Sequence, residues 1–315
     1  MRLMSSLLRV AVVLFVVVTG CSGGGSKSPS GAVRAKNPMP EEPYLSDAPP
    51  GQYGGRLVLS MLGSPKTFNA MITNDSPTND VISGAVWEGL LDFDNVTQEV
   101  KPGLLSSWEH SADGLVWTLK LRKGLKWSDG HPLTVDDVLF TTAVLQDTSL
   151  HINAASLLTR SGSFPPFAKV DDTTFTVTLK KPFGPFLHAI SGFRVIPKHK
   201  LEGAWKAGRF AQTWGLDTPP DSLVGSGPFT IARYVPNESI TLKPNPWFYR
   251  VDSKQQRLPY LDELIWVIVP DQNAELIKFK SGETDGLYAR SEDVEGLKGE
   301  AEAGHFTVSD LGPEY

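Results

Sequence analysis

The chain has 315 residues, with 30 basic against 35 acidic side chains for a net charge of −5, 40% hydrophobic residues and one cysteine. No run of Lys or Arg is present, which argues against a nucleic-acid binder, and a single cysteine excludes an intramolecular disulfide framework, so stability has to come from buried apolar surface. The length is ample for that, as one large or two modest domains.

Arg2 and Arg9 followed by the apolar run Val10–Val18 read as the n- and h-regions of an export signal, too short to span a bilayer. The small residues before Cys21 then predict a lipoprotein signal over residues 1–20, cut so that Cys21 carries the lipid. Residues 21–50 are dominated by Gly, Ser, Pro and Lys and predict a flexible tether between the lipid bilayer and a folded body. Loss of Arg2 and Arg9 would leave the mature protein at −7. The expected location is extracytoplasmic and lipid-anchored, in the periplasmic space or on the outer face of the cytoplasmic membrane.

The folded region opens with Arg56–Met61, a weakly alternating run that predicts a strand ending at Gly63 and Pro65. From Thr78 to Leu91 the residues Val81, Ile82, Ala85, Val86, Leu90 and Leu91 recur at helical spacing, with the hydroxyls of Ser76 and Thr78 placed to cap the start. Val116–Arg122 alternates as a half-buried strand, with Trp117, Leu119 and Leu121 on one face. Ser128-Asp129-Gly130 marks a turn, and Thr134 with Asp137 three residues on predicts a capping box opening a helix to Leu145. Phe175–Leu179 reads as a second alternating strand, and Glu263–Val269 as a central one covered on both faces. A helix over Asn273–Lys280, closed by Gly282, and a strand at Thr284–Tyr288 would complete a βαβ-type unit. The expected class is α/β with an antiparallel-rich middle section.

Catalytic signatures are missing: there is no His-Glu-x-x-His, Gly-x-Ser-x-Gly, P-loop or Ser-x-x-Lys. The histidines at 110, 131, 151, 188, 199 and 305 never fall at metal-ligand spacing. Asp136 and Asp137 read as helix-capping residues rather than a reaction centre. Gly225-Ser226-Gly227-Pro228-Phe229 is no dinucleotide fingerprint, because Thr230 stands where that motif needs glycine. The expectation is therefore a protein with no catalytic residues, metal or cofactor. Among the tryptophans, Trp108, Trp117 and Trp127 read as packing residues, and Trp247-Phe248-Tyr249 as core rather than a stacking wall.

Eight segments then occur in a particular order: Trp87–Leu91; Lys101–Leu105 with Ser107-Trp108; Leu119–Gly124 with Lys126–Gly130; Leu133–Val138; Gly225–Phe229; Asn245-Pro246; Leu258–Asp262; and Ser281–Asp285. Together they make the chain resemble the family 5 extracellular solute-binding proteins, the peptide-binding subunits of ABC importers. The resemblance implies a two-lobed clamp of the type II periplasmic-binding-protein class. Residues 51–97 and 215–287 would form the first lobe, residues 98–214 an inserted β-rich subdomain, and residues 288–315 the start of a second lobe, with a helix at 291–298 and a strand at 305–311. On this template most of the second lobe lies beyond Tyr315, leaving apolar faces of the first exposed.

The resemblance further implies a peptide ligand and a membrane ABC permease as partners. The loop Thr73–Pro77 corresponds to a ligand-contacting segment, giving Asn74, Asp75, Ser76 and Pro77 as binding residues beside a plain helix-capping reading of the same loop. Ser226 and Gly227 are weaker candidates, since Gly-Ser-Gly-Pro also suits a tight strand entry needing permissive backbone angles. An oligosaccharide ligand on the same fold, favoured by the eight tryptophans, is the second reading. A surface-anchored hydrolase dependent on Asp75 is the third.

Overall fold

Alternating apolar runs and capped helices take up their expected places over most of the computed structural model, which describes residues 12–17, 37–47, 49–94, 96–152, 155–159 and 163–313. Cys21 and most of the expected tether lie outside the described residues. The chain begins with strands β1 (Val12–Val17), β2 (Tyr44–Leu45) and β3 (Arg56–Leu62), followed by helix α1 (Ser76–Val81). The helix does not run to Leu91 as its apolar spacing suggests. It widens into a π-turn over Ile82–Val86, closed by the Trp87 amide donating to the Ile82 carbonyl at 2.7 Å, and then breaks. Leu90 is buried from a bend instead, and Leu91 from the start of strand β4 (Leu91–Asp94), which pairs with β5 (Glu99–Pro102). Spacing alone cannot separate these two ways of burying the same side chains. The cap also differs: the Asp75 carboxylate, not a hydroxyl, accepts from the Thr78 amide at 2.9 Å, and Pro77 occupies the first turn, where its missing N–H is harmless.

The middle of the chain contributes β6 (Leu105–His110), β7 (Val116–Leu121), α2 (Val135–Leu145), α3 (Ala155–Leu158), β8 (Phe167–Lys169), β9 (Thr174–Thr178), α4 (Phe186–Ser191) and α5 (Lys198–Lys206). Strands β6, β7, β9 and β8 form an antiparallel sheet in that order, with Trp117, Leu119 and Leu121 buried as the alternation predicts. The capping box is present: Thr134 Oγ1 accepts from the Asp136 amide at 3.3 Å, and Asp137 Oδ2 from the Thr134 amide at 2.9 Å. Asp137 also takes the Lys198 amide at 2.9 Å, so one buried carboxylate starts α2 and holds the entry to α5. Burial pushes its carboxyl up despite those bonds.

The remaining strands are β10 (Phe229–Val235), β11 (Ser239–Pro244), β12 (Arg250–Val251), β13 (Glu263–Val269), β14 (Gly286–Tyr288) and β15 (Thr307–Pro313), with helices α6 (Gln272–Lys280) and α7 (Val294–Glu302). The main sheet runs β10-β11-β13-β3, with β13 antiparallel to β11 and parallel to β3 from Glu263↔Arg56 to Val269↔Leu62. The expected βαβ unit is corrected here. The parallel partner of β13 is β3, while β14 pairs antiparallel with β1 and touches the main sheet through the Asp285 amide on Val58 O (2.7 Å). Strand β1, from within the expected signal, lies between β14 and β15.

One apolar core extends from Leu59 of β3 through Trp127 and Phe175 to Trp266 of β13, crossing the sequence boundaries near 97 and 214. A separate small cluster joins Phe279, Leu287, Ala289, Leu297 and Phe306. Phe248 and Tyr249 are buried in the main core, while Trp247 is partly exposed, with Lys126 Nζ 4.1 Å from its ring centre.

Candidate functional site

The loop leaving β3 reaches α1 through Thr73–Pro77, and its geometry follows from satisfying the first amides of that helix. Thr73 Oγ1 donates to Asp75 Oδ1 at 2.7 Å, and Asp75 Oδ2 takes the Thr78 amide. Burial pushes the Asp75 carboxyl up, but hydrogen bonds from Thr73, Thr78 and the Lys66 amide outweigh it and hold the group below the usual carboxylate range. Asp75 is thus engaged as a cap. Asn74 is exposed, and its side chain has no hydrogen bond among the described residues.

Two clefts flank this loop and the π-turn. The smaller, of 250 Å³, is walled by Thr73 and Asn74 of the loop, Asn79 and Ser83 of α1 and the π-turn, the Trp87 that ends it, and Arg194 from the strand-like segment after α4. The larger, of 710 Å³, lies against β3 and β13 and takes in Ser76, Pro77, Gly84, Trp266 and Glu275. The structure therefore divides the four loop residues: Asn74 faces one cleft and Ser76 and Pro77 the other. Glu275, 7% exposed, accepts from Ser60 Oγ at 2.8 Å, and burial raises its carboxyl.

Ser226 and Gly227 line neither cleft. Ser226 is 2% exposed, and its Oγ accepts from the Glu88 amide at 3.0 Å. A Cβ on Gly227 would come 2.5 Å from the Ala85 carbonyl oxygen, and the Gly227 amide donates to Val86 O at 2.8 Å. Neither Gly225 nor Gly227 has a positive φ, so close approach to the π-turn, not unusual backbone angles, is what calls for glycine.

Behind Trp87 sits a charged knot that sequence reasoning missed. Arg250 donates to Glu88 Oε2 at 2.9 Å and to Asp92 Oδ2 at 3.2 Å, beside the fully buried ring of Tyr249. Burial works against the Arg250 charge, but Glu88, Tyr249 and Asp92 outweigh it and raise its pKa; burial with Glu88 nearby raises the Tyr249 hydroxyl. Arg194 was missed too, although a lone cation inside the apolar run Ile190–Ile196 was a signal for it.

Among the described residues no group of His, Cys, Asp and Glu could hold a metal ion. Nor, among them, is any helix long and apolar enough to cross a membrane. What the arrangement offers is recognition: the polar side chains of Thr73, Asn74, Asn79 and Ser83 and a guanidinium around concave space.

An α/β body with clefts at the strand ends and an antiparallel sheet inserted beside them has the type II periplasmic-binding-protein fold. The profile of the bacterial extracellular solute-binding proteins, family 5 Middle, matches residues 99–315, and the chain belongs to that family. It is 35% identical over 241 residues to a probable ABC transporter-binding protein of Deinococcus radiodurans, covering 74% of this chain and 40% of the relative. It is 29% identical to the dipeptide-binding protein of Escherichia coli, covering 77% and 46%. Among solved structures, the periplasmic binding protein MelB of Agrobacterium fabrum in complex with stachyose superposes with a TM-score of 0.69 at 25% identity, covering 78% of this chain and 40% of that one. The chain thus spans less than half the length of these relatives.

Proposed function

We propose that this chain acts in the solute-capturing subunit of an ABC importer, binding peptides outside the cytoplasmic membrane and delivering them to a permease. The observation that carries the reading is the 250 Å³ cleft, walled by the polar loop residues Thr73 and Asn74 and by Asn79 and Ser83, a lining suited to an extended peptide backbone. Kinship with peptide-binding relatives supports it. Within this reading Asn74 contacts ligand in the smaller cleft, Ser76 and Pro77 contact it where it reaches the larger one, Asp75 holds their loop, and Ser226 and Gly227 support the π-turn from behind. Residues 51–97 and 215–287 act as the first lobe, 98–214 as its insert and 288–315 as the crossing to a second. Lipid on Cys21 keeps the binding body near its permease through a tether shorter than the expected 21–50, since Tyr44–Leu45 already pairs with Arg250–Val251 and Asn37 and Pro38 accept from Arg257.

An oligosaccharide is the second reading, favoured by the likeness to a stachyose-bound protein. Titrating intrinsic tryptophan fluorescence with peptide and sugar pools separates the two. Micromolar capture corresponds to about 8 kcal/mol. Saturable quenching by peptides is the expected result, and quenching by sugars alone would sink the peptide reading.

A further inference from the structure

Arg194 is a half-buried cation in an apolar setting, with no direct partner for its guanidinium among the described residues. It follows Phe193, 5% exposed, and precedes Val195 and Ile196, both 0% exposed. No hydrogen bond or ion pair to its guanidinium is present among the described residues. The carboxylates whose charge it feels, Glu88 and Asp92, are both held by Arg250. Burial accordingly pulls the Arg194 pKa down. Gly89 leaves room for it: a Cβ there would lie 2.7 Å from Arg194 Nη1. A guanidinium drawn partly out of water without a direct partner is costly in the free protein. That cost persists in a fold when an anion arriving from outside removes it, and Arg194 forms part of the wall of the 250 Å³ cleft.

We propose that Arg194 is the anion-recognising residue of this cleft and takes a carboxylate of the ligand, so that the site prefers free-acid peptides to amidated peptides or neutral sugars. The inference rests on the peptide reading given above and narrows its ligand class. A planar guanidinium matches a carboxylate through two parallel hydrogen bonds, and a site built around such a pair discriminates strongly against a ligand lacking the charge. Asn74, Asn79 and Ser83 would then hold the adjoining main chain.

The test uses the full chain and its Arg194→Gln and Arg194→Lys variants. Binding is measured calorimetrically for tri-alanine and penta-alanine, each as free acid and as C-terminal amide, for Ala-Asp-Ala amide and for succinate. The expected result is free-acid binding to the parent roughly 10- to 100-fold tighter than amide binding. Arg194→Gln abolishes that difference, and Arg194→Lys keeps part of it. Binding of Ala-Asp-Ala amide would mark a side-chain carboxylate as the group recognised, and its absence the terminal one. The ligand-free Arg194→Gln protein should melt no lower than the parent, since a half-buried charge without a direct partner is removed; a structural arginine would give a lower melting temperature. An unchanged acid-over-amide preference in Arg194→Gln, or a lower ligand-free melting temperature with unchanged affinities, overturns the role of Arg194 and leaves the peptide reading standing. Succinate binding that Arg194→Gln removes, with no peptide bound by the parent, overturns the peptide reading and keeps Arg194. Binding of neither class overturns both.

Discussion

The two apolar cores of this molecule are built to different standards. The main one joins β3, the π-turn, the inserted sheet, α2, β11 and β13, with Trp127, Phe175 and Ile240 at 0% exposure, and buried polar groups such as Asp137 and Asn245 tie its segments together. The second consists of five buried residues under α6, β14, α7 and β15, around the Phe279–Phe306 pair at 5.0 Å. Its surroundings expose Ile277 at 65% and Tyr288 at 49%. The contrast teaches that the inserted β-rich section is no appendage. It shares its interior with the main sheet and should melt with it, whereas residues 271–313 form a unit too small to hold itself together without its neighbours.

The most forceful way to break this comparison is Trp127→Ala. Its indole is wholly buried in the insert, so the change should cost about 3–5 kcal/mol and lower a single unfolding transition reported equally by the insert and by β13. Two separated transitions in a thermal scan would show the insert to be its own domain. Leu297→Ala, at a site 1% exposed, should remove about 2–3 kcal/mol. Hydrogen exchange should locate that loss in residues 271–313, with β6, β7 and β9 still protected; equal loss of protection everywhere would erase the distinction between the cores.

The smallest effect sharpens the boundary between them, where α6 leans on β3. Burial raises Glu275 above the ordinary 4.5 of glutamate, so the folded state binds its proton more readily than the unfolded chain. The native state is therefore relieved of the buried charge below pH 4.5, and that relief is lost as pH rises through the folded pKa. Glu275→Gln, which can still accept from Ser60, should raise the melting temperature at pH 7 and give a shrinking advantage as pH falls toward 4.5. A constant advantage across that range would mean that the Glu275 charge is solvated.

Much of this fold is legible in the sequence where one period decides the outcome. Strands at 56–62, 116–121, 174–178 and 263–269 and the capped helix 135–145 follow from alternation, an apolar run and a capping box. The end of α1 is not legible, because Leu90 and Leu91 satisfy a helical pattern while being buried from a bend and the strand that follows it. Nor is the pairing of β13, since the apolar run predicts a central strand but not which neighbour it finds. The loop holding Asn74 emerges through resemblance, yet its division between two clefts depends on where the π-turn stands. Arg194 is invisible for another reason: its lack of a partner arises because Arg250, 162 residues from Glu88 along the chain, has already taken that carboxylate.

The π-turn itself acts as a party wall. Ser83 belongs to the lining of the smaller cleft, and Gly84 and Ala85, the next two residues, to that of the larger. Its carbonyls at Ala85 and Val86 rest against Gly227 and Gly225, so it has no room to retreat backward. The two clefts are therefore divided by a single turn of backbone. Removing one residue from the turn would restore an ordinary α-helix and swing the next side chains by about 100°, replacing a shared partition by a wall that serves neither side.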